Sequence, residues 1–190
     1  MDLMESIKTR RSVRQYKSDP VDEKTVETVL DAARWAPSWA NSQCWQFVVV
    51  RDTGTKERLA NTLFGISDRP NRTAEAMKKA PVAIAVCAEL GRSGFRYGQP
   101  KGPATDKGDY WYMFDSALAM QNLVLAAHSV GLGTVIVGAF DAKKAAEVLQ
   151  IPEGIAVVAL TPLGYPDETP NIRPRKELSD VVHRDRFGSR

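Results

Sequence analysis

The longest helix predicted from the sequence, at residues 109–130, constrains the fold more than any other segment. Its apolar residues lie on most sides of the helix rather than along one stripe, which is typical of a helix buried in a protein core. Two glycines, Gly131 and Gly133, follow the apolar run and predict where the helix ends. A chain with such a helix must pack other elements around it, so we expect residues 109–130 at the centre of the protein.

Four short apolar segments predict the strands of a sheet. They lie at residues 45–50, 82–88, 134–139 and 155–162. All four are too apolar to face water, so helices must cover both faces of the sheet. The remaining helices are predicted at residues 2–11, 22–35, 55–64, 141–149 and 176–183. This order of helices and strands predicts an α/β or α+β sandwich.

Length and composition exclude several classes of protein. The 190 residues and 21.0 kDa fit one domain over residues 1–190, and the net charge of +3 is too small to indicate a nucleic-acid partner. No secretory signal is recognisable, and no run approaches the roughly 18 apolar residues of a membrane helix. Cys44 and Cys87 lie in apolar segments and form no metal-binding motif. We therefore expect a cytoplasmic protein with reduced thiols, no metal and no membrane association.

Three arginines and a serine lie within the five residues Arg10–Arg14, at the end of the first predicted helix. Guanidinium groups bind phosphate in a bidentate manner and Ser12 would add a donor, so the segment is a candidate phosphate site. Alternatively, it is a solvated basic turn, because arginines are favoured at a helix C-terminus. The chain lacks both GxGxxG and GxxxxGK[ST], which argues against a Rossmann or P-loop phosphate site.

Three further segments are candidates for ligand contacts. Ala36–Trp45 presents short polar side chains between a helix and a strand, where they would contact a ligand or only satisfy backbone groups of the loop. Gly131–Gly138 ends a strand in glycine, which allows close approach of a flat ligand but also occurs in ordinary strands. Arg173–Lys176 adds positive charge for the same phosphate, or is a solvated tail.

The order of these segments along the chain resembles the nitroreductase family of flavoenzymes. The matching motifs, from about Ile7 to about Lys176, are RRSVRxY, APSxxNxQxW, GLGTxxxG and an arginine pair near the C-terminus. The resemblance implies a nitroreductase-like sandwich, whose central sheet has four to five mostly antiparallel or mixed strands covered by helices on both faces. It also implies a homodimer with FMN bound at the subunit interface. The C-terminal arm, residues 165–190, would be exchanged with the partner subunit.

The resemblance further implies which residues bind FMN. Those at the phosphate would be Arg10, Ser12, Arg173 and Arg175, while Arg11 would hold the backbone position of the motif. Arg14 would lie near the pyrimidine edge of the flavin. The residues that reach the flavin from the partner subunit would be Pro37, Ser38 and Asn41. The residues whose backbone lies beside flavin N5 and O4 would be Ile136, Val137 and Gly138.

Family membership would make the chain a ping-pong oxidoreductase that transfers hydride through flavin N5. NADH or NADPH would reduce FMN and leave. A nitroaromatic, a quinone or a similar electron-poor acceptor would then bind where the nicotinamide had been. The cofactor carries this chemistry, so no catalytic side chain is expected and neither His128 nor His183 is assigned one. Alternatives are another flavin chemistry of the superfamily, such as dehalogenation or a flavin-consuming reaction, or a non-catalytic flavin-binding protein.

The chain departs from the family pattern at Cys44, where relatives commonly have proline, in its short length, and in the segment Phe64–Lys79. The segment Phe64–Lys79 contains no flavin contact that can be aligned. Residues 91–108 are rich in glycine, proline and charge and show no periodicity, which is typical of a mobile loop or lid. The aromatic residues between 91 and 112 would either form this lid or pack a loop against the dimer.

Overall fold

The structure is a computed structural model that describes residues 1–65, 70–97, 102–108 and 110–189. Its helices are α1 (Leu3–Thr9), α2 (Glu23–Arg34), α3 (Thr53–Ala60), α4 (Arg72–Lys79), α5 (Tyr110–Ser129), α6 (Ala142–Leu149) and α7 (Leu178–Val181). Its strands are β1 (Trp45–Val50), β2 (Val82–Glu89), β3 (Gly133–Thr134) and β4 (Ile155–Gly164). A short 3₁₀ turn, Trp39–Asn41, precedes β1. The sequence predicted neither this turn nor α4.

The four strands form an antiparallel sheet with the order β1-β2-β4-β3. β2 alternates between two apolar cores, as neighbouring residues of a strand point to opposite faces. Val82, Ile84 and Val86 pack with residues of α2 and α5. The other core contains residues of α3, α4 and α6 and the β2 residues Ala83, Ala85 and Cys87. The predicted α+β sandwich, with helices on both faces of the sheet, is therefore confirmed.

Helix α5 is central, as predicted, except near its N-terminal end, where one side remains exposed. Leu123, Val124 and Ala127 have 0% of their surface exposed. Near its N-terminal end, however, Tyr110 and Phe114 are 77% and 56% exposed in a single chain. The apolar surface of this end therefore remains uncovered. Even α5 falls short of a membrane span, and the same is true of every other helix in the described ranges.

The predicted strand at 134–139 is wrong beyond its first residue. If the pairing register of β3 with β4 continued, Val135 would face Pro162, and proline has no N–H to donate to the sheet. Pairing returns only at Val137, which exchanges two backbone hydrogen bonds of 2.8 and 3.0 Å with Leu160. The segment is thus an irregular edge of the sheet, because a proline on the opposite strand interrupts it.

Short polar side chains cap the N-termini of five helices. The capping residues of α1, α2, α3, α4 and α6 are Asp2, Asp22, Asp52, Asn71 and Asp141. Each accepts a hydrogen bond from the first turn, and such a cap is worth about 1 kcal/mol. Asn71 starts α4 inside the 64–79 segment, part of which lies outside the described residues.

Candidate functional site

The segment Arg10–Arg14 leaves the end of α1 and lies against β3. Ser12 forms a parallel bridge with Thr134, and the N–H of Val13 donates to the Thr134 carbonyl at 2.9 Å. A side chain at Gly133 would place its Cβ 2.9 Å from Cβ of Val13, which is closer than van der Waals contact allows. The absence of a side chain at Gly133 therefore permits the close approach of the first and third candidate segments.

The C-terminal arm also lies along this segment. The N–H of Asp167 donates to the carbonyl of Gln15 at 2.9 Å. One residue further, the carboxylate of Glu168 accepts a hydrogen bond from the backbone N–H of Arg14. These contacts bring the start of the C-terminal arm to the first candidate segment, although more than 150 residues separate Arg14 from Glu168 in the chain.

A strongly cationic cavity of about 450 Å³ lies between the segment and the arm. Its charged lining consists of one carboxylate, that of Glu168, and six arginines, namely Arg10, Arg11, Arg14, Arg72, Arg173 and Arg175. Ser12 and Asn171 add polar groups. Guanidinium groups in such excess favour an anion with several oxygens, such as a phosphate. All the residues predicted to lie at the phosphate are thus in one cavity, which we call the cationic cavity.

Both burial and neighbouring positive charges act on the guanidinium of Arg10. Burial lowers the pKa of its guanidinium, and the charges of Arg11 and Arg175 lower that pKa further. A neighbouring anion favours the charged form of such a group and would offset both effects. A phosphate in the cationic cavity would therefore stabilise Arg10 as well as being bound by it.

Arg11 directs part of its guanidinium to the end of α1. Its Nη1 donates to the carbonyls of Lys8 at 2.7 Å and of Arg10 at 2.8 Å. A cation at this position offsets the partial negative charge of a helix C-terminus. Its Nε is buried and has no hydrogen-bond partner within the part of the chain that the structure describes. Buried donors of this kind are rare, and a bound ligand is one way to satisfy them.

Arg14 lies where the cationic cavity meets a smaller cavity of about 160 Å³, which we call the apolar recess. Its Nε donates to Oγ1 of Thr73 at 3.2 Å, so the first turn of α4 orients the guanidinium. The other residues that line the recess are Leu63, Phe64, Asn71, Thr73, Val135, Ile136, Val137, Gly138 and Ala139. A Cβ at Gly138 would meet nothing within 4 Å, so a flat ligand can approach the backbone there.

The second candidate segment is not brought to these cavities within one chain. Pro37, Ser38 and Asn41 line neither the cationic cavity nor the apolar recess. Pro37 and Asn41 are exposed, and the neighbouring turn is bound to Asp115 of α5 through the N–H of Trp39. The contact of these residues with the same ligand therefore stays a prediction that requires a second subunit.

Sequence reasoning missed Arg72 and Glu168, whose side chains form an ion pair of 3.1 Å at the cationic cavity. Arg72 is the first residue of α4, and the sequence does contain a helix-start signal there, since Asn71 precedes the amphipathic segment RTAEAMKK. Glu168 lies in a polar arm without periodicity. Only the tertiary structure brings its carboxylate to Arg14 and Arg72.

Neither histidine nor cysteine is among the described residues that line the two cavities. His128 bonds to Thr9 through Nε2 at 2.9 Å and so joins α5 to α1, while His183 packs on a phenylalanine of the arm. Cys44 and Cys87 are buried and unpaired, and burial raises the pKa of each thiol to about 11. Both thiols are therefore protonated near neutral pH. Within the described ranges, no cluster of three or more His, Cys, Asp or Glu residues could hold a metal ion.

Comparison with known proteins gives a consistent result. The model of the nitroreductase family matches residues 7–165. A protein of Methanothermobacter thermautotrophicus, whose name pairs NADH dehydrogenase with NAD(P)H nitroreductase, is 34% identical over 177 residues, which are 91% of this chain and 82% of the relative. The 5,6-dimethylbenzimidazole synthase of Rhodospirillum rubrum is 33% identical over 173 residues, which are 84% of this chain and 79% of the relative. The crystal structure of a nitroreductase family protein from Clostridium novyi NT superposes with a TM-score of 0.79 at 30% identity and covers 100% of this chain and 96% of that one.

Proposed function

Since this chain belongs to the nitroreductase family, a family of oxidoreductases linked to flavin and NAD(P)H, we propose that it binds FMN and uses NADH or NADPH to reduce electron-poor acceptors. Nitroaromatics and quinones are the proposed classes of acceptor. The observation that carries the proposal is the junction, at Arg14, of a cavity lined by six arginines with an apolar recess. A phosphate tail and a flat ring in one molecule match this pair of cavities.

The residues of the two cavities fit FMN in their chemistry. Those that would hold its phosphate are Arg10, Ser12, Arg173 and Arg175, with Arg11 fixing the backbone beside them. The backbone of Ile136–Gly138 would lie against the ring, where Gly138 leaves open space. When bound, FMN would supply the N5 atom that accepts and donates the hydride. The fit is supported by the buried Nε of Arg11, which a ligand would satisfy.

Arg14 would tune the reaction through its charge. Thr73 holds its Nε, and the residue lies between the two cavities, where the pyrimidine edge of the ring would be. A cation at that edge stabilises the negative charge that reduction adds, and so raises the reduction potential. The nicotinamide and the acceptor would bind in turn at the same face of the flavin ring. This order of binding is a ping-pong reaction.

The proposal includes a homodimer with shared sites. Pro37, Ser38 and Asn41 would reach the flavin of the partner subunit, since they line neither cavity of their own chain. Uncovered apolar residues support a large interface. On α1 they include Leu3, Met4 and Ile7, which are 67%, 57% and 47% exposed. On the arm, residues 165–190, they include Ile172, Leu178 and Phe187, which are 77%, 75% and 92% exposed, as expected of an arm that is exchanged between subunits.

An anaerobic acceptor screen tests the proposed activity. Purified protein reconstituted with FMN should be yellow, and NADH or NADPH should bleach it without oxygen. A nitroaromatic or a quinone should then restore the colour in a second mixing step. If neither nucleotide bleaches the flavin, the reductase proposal fails. If the protein cannot bind FMN at all, the assignment of both cavities fails as well.

A second candidate function is a reaction that consumes the flavin. The Rhodospirillum rubrum relative named 5,6-dimethylbenzimidazole synthase matches 84% of this chain, so family membership alone does not distinguish the two chemistries. Chromatography of the flavin after aerobic incubation with excess NADH separates them. A reductase returns FMN unchanged over many turnovers, whereas a flavin-consuming enzyme loses it in proportion to the product formed. Loss of FMN in a protein-dependent manner would therefore favour this candidate over the reductase.

A further inference from the structure

A buried carboxylate, that of Asp115, lies in the second turn of α5 with 1% of its residue surface exposed. Its Oδ2 accepts hydrogen bonds from the N–H of Trp39 at 3.0 Å and from the hydroxyls of Ser42 at 3.2 Å and Ser93 at 2.6 Å. No lysine or arginine of the described residues forms an ion pair with it. A buried charge is costly unless donors satisfy it. Asp115 therefore depends on donors from two separate loops.

The first of these loops, Ser38–Cys44, has a strained backbone. Ala40, Asn41 and Gln43 have φ values of 43°, 55° and 47°, which are uncommon for residues with a Cβ. Such conformations persist only where the surroundings fix them, and they cluster at ligand contacts. Asp115 provides this support, because it accepts from both ends of the 3₁₀ turn inside the loop.

The second loop, Leu90–Tyr97, meets the first at two points. The Ser93 side chain is buried and shares Oδ2 of Asp115 with the first loop. Next to it, Gly94 lies under Trp111, since a Cβ there would be 2.5 Å from Cδ1 of that indole. Trp111 in turn packs on Trp39, with 4.7 Å between ring centroids. Moving one loop would therefore change the hydrogen bonds and the ring contact of the other.

We propose that Asp115 is a positioning residue that couples the loop Ser38–Cys44 to the loop Leu90–Tyr97. Because several donors converge on one oxygen, loss of the Ser93 bond lets the remaining donors and the carboxylate rearrange. The inference rests on the proposed function in one respect, namely that Ser38 and Asn41 contact the flavin of the partner subunit. Through this contact, the second loop would influence the environment of the flavin. Most of this loop belongs to the predicted lid, residues 91–108, of which 98–101 lie outside the described residues.

Hydrogen exchange in the protein without flavin tests the coupling by itself. Ser93→Ala changes only the second loop, and the amide of Trp39 in the first loop is the probe. Coupled neighbours show interaction energies that correspond to about twofold to 150-fold in an equilibrium. We therefore expect the Trp39 amide to exchange faster by a factor in this range. The matched control is Ser129→Ala at the other end of α5, where the hydroxyl bonds, among the residues that the structure describes, to the carbonyl of Ala126.

Circular dichroism of the bound flavin tests the positioning role. Asp115→Asn keeps the shape of the side chain but removes its charge, and it should change the visible spectrum of bound FMN in the same direction as Ser93→Ala. Unchanged Trp39 exchange in Ser93→Ala would overturn the coupling. Faster exchange with wild-type flavin spectra in both variants would overturn the positioning role. A wild-type protein that fails to bind FMN would instead refute the proposed function, while the exchange result would still stand.

Discussion

Replacing Gly133 with alanine should separate the cationic segment from the sheet. The added Cβ would lie 2.9 Å from Cβ and Cγ2 of Val13 and 3.0 Å from its Cγ1, whereas carbon atoms in contact prefer about 3.5–4.0 Å. Val13 is buried, so its side chain has no room to turn away. The two backbones must therefore move apart by roughly 0.5–1 Å. Overpacking of this kind costs about 1–3 kcal/mol of folding free energy.

Thermal unfolding and FMN titration measure the two consequences of Gly133→Ala. A loss of about 1 kcal/mol lowers Tm by roughly 2–4 °C in a chain of this size, so Tm should fall by roughly 2–12 °C. The movement would also displace Arg10 and Ser12 from the rest of the cationic cavity. The folded protein should then bind FMN more weakly. Adding Val13→Ala removes Cγ1 and Cγ2 from the overlap and leaves only Cβ, so the overlap is partly relieved and the double variant should be more stable than the sum of the single changes predicts.

Gly138→Ala is the matched control, because its Cβ would meet nothing within 4 Å. This change should alter the free energy of unfolding by less than about 0.5 kcal/mol. It should nevertheless weaken FMN binding, since the methyl group would occupy the space left for the ring. The steric argument is refuted if Gly133→Ala unfolds at the wild-type temperature, or if its effect and that of Val13→Ala simply add.

Three further predictions test other parts of the site. Arg10→Ala should weaken FMN binding by about 1.5–3 kcal/mol, or roughly 10- to 150-fold, and unchanged affinity in calorimetry would contradict the phosphate assignment. Asn71→Ala removes the cap of α4 and should lower the free energy of unfolding by about 1 kcal/mol in urea titrations; a wild-type midpoint would show that the cap is dispensable. Burial, followed by the charges of Arg10 and Arg11, lowers the pKa of His128, so the folded protein favours the neutral ring. Wild type should therefore lose stability relative to His128→Gln as pH falls below about 6.5, with parallel curves above pH 7.

Much of the fold could be predicted from the sequence because buried apolar residues recur along each helix or strand with the period of that element. In α2, for example, Val26, Val29 and Ala33 recur with the helical period, and all three have 0% of their surface exposed. The prediction failed where the cause lies on another element. Strand β3 stops because of Pro162, which lies almost 30 residues further along the chain. No local pattern at 134–139 contains that information.

The candidate site, like the fold, could be predicted where the signal is local and could not where it depends on a distant element. Arginine-rich segments are visible locally, so the sequence predicted most of the charged lining of the cationic cavity. It could not predict the ion pair between Arg72 and Glu168, because only the folded chain brings them to 3.1 Å. Nor does periodicity distinguish a helix face that packs in its own chain from one that remains uncovered. Phe114 belongs to the apolar pattern of α5, yet it is 56% exposed.

These uncovered surfaces and the clustered arginines have a common physical consequence. Six guanidinium groups of like charge line one cavity, and burial together with the charges of Arg11 and Arg175 lowers the pKa of Arg10. Apolar side chains exposed on α1, on α5 and along the arm add a second unfavourable feature to the single chain. A bound dianion would offset the clustered positive charge, and a second subunit would cover the exposed apolar side chains. A ligand that binds only the folded state stabilises that state by mass action. Folding, cofactor binding and subunit association should therefore be thermodynamically linked, with the segment Arg10–Arg14 at the point where helix, sheet and arm meet.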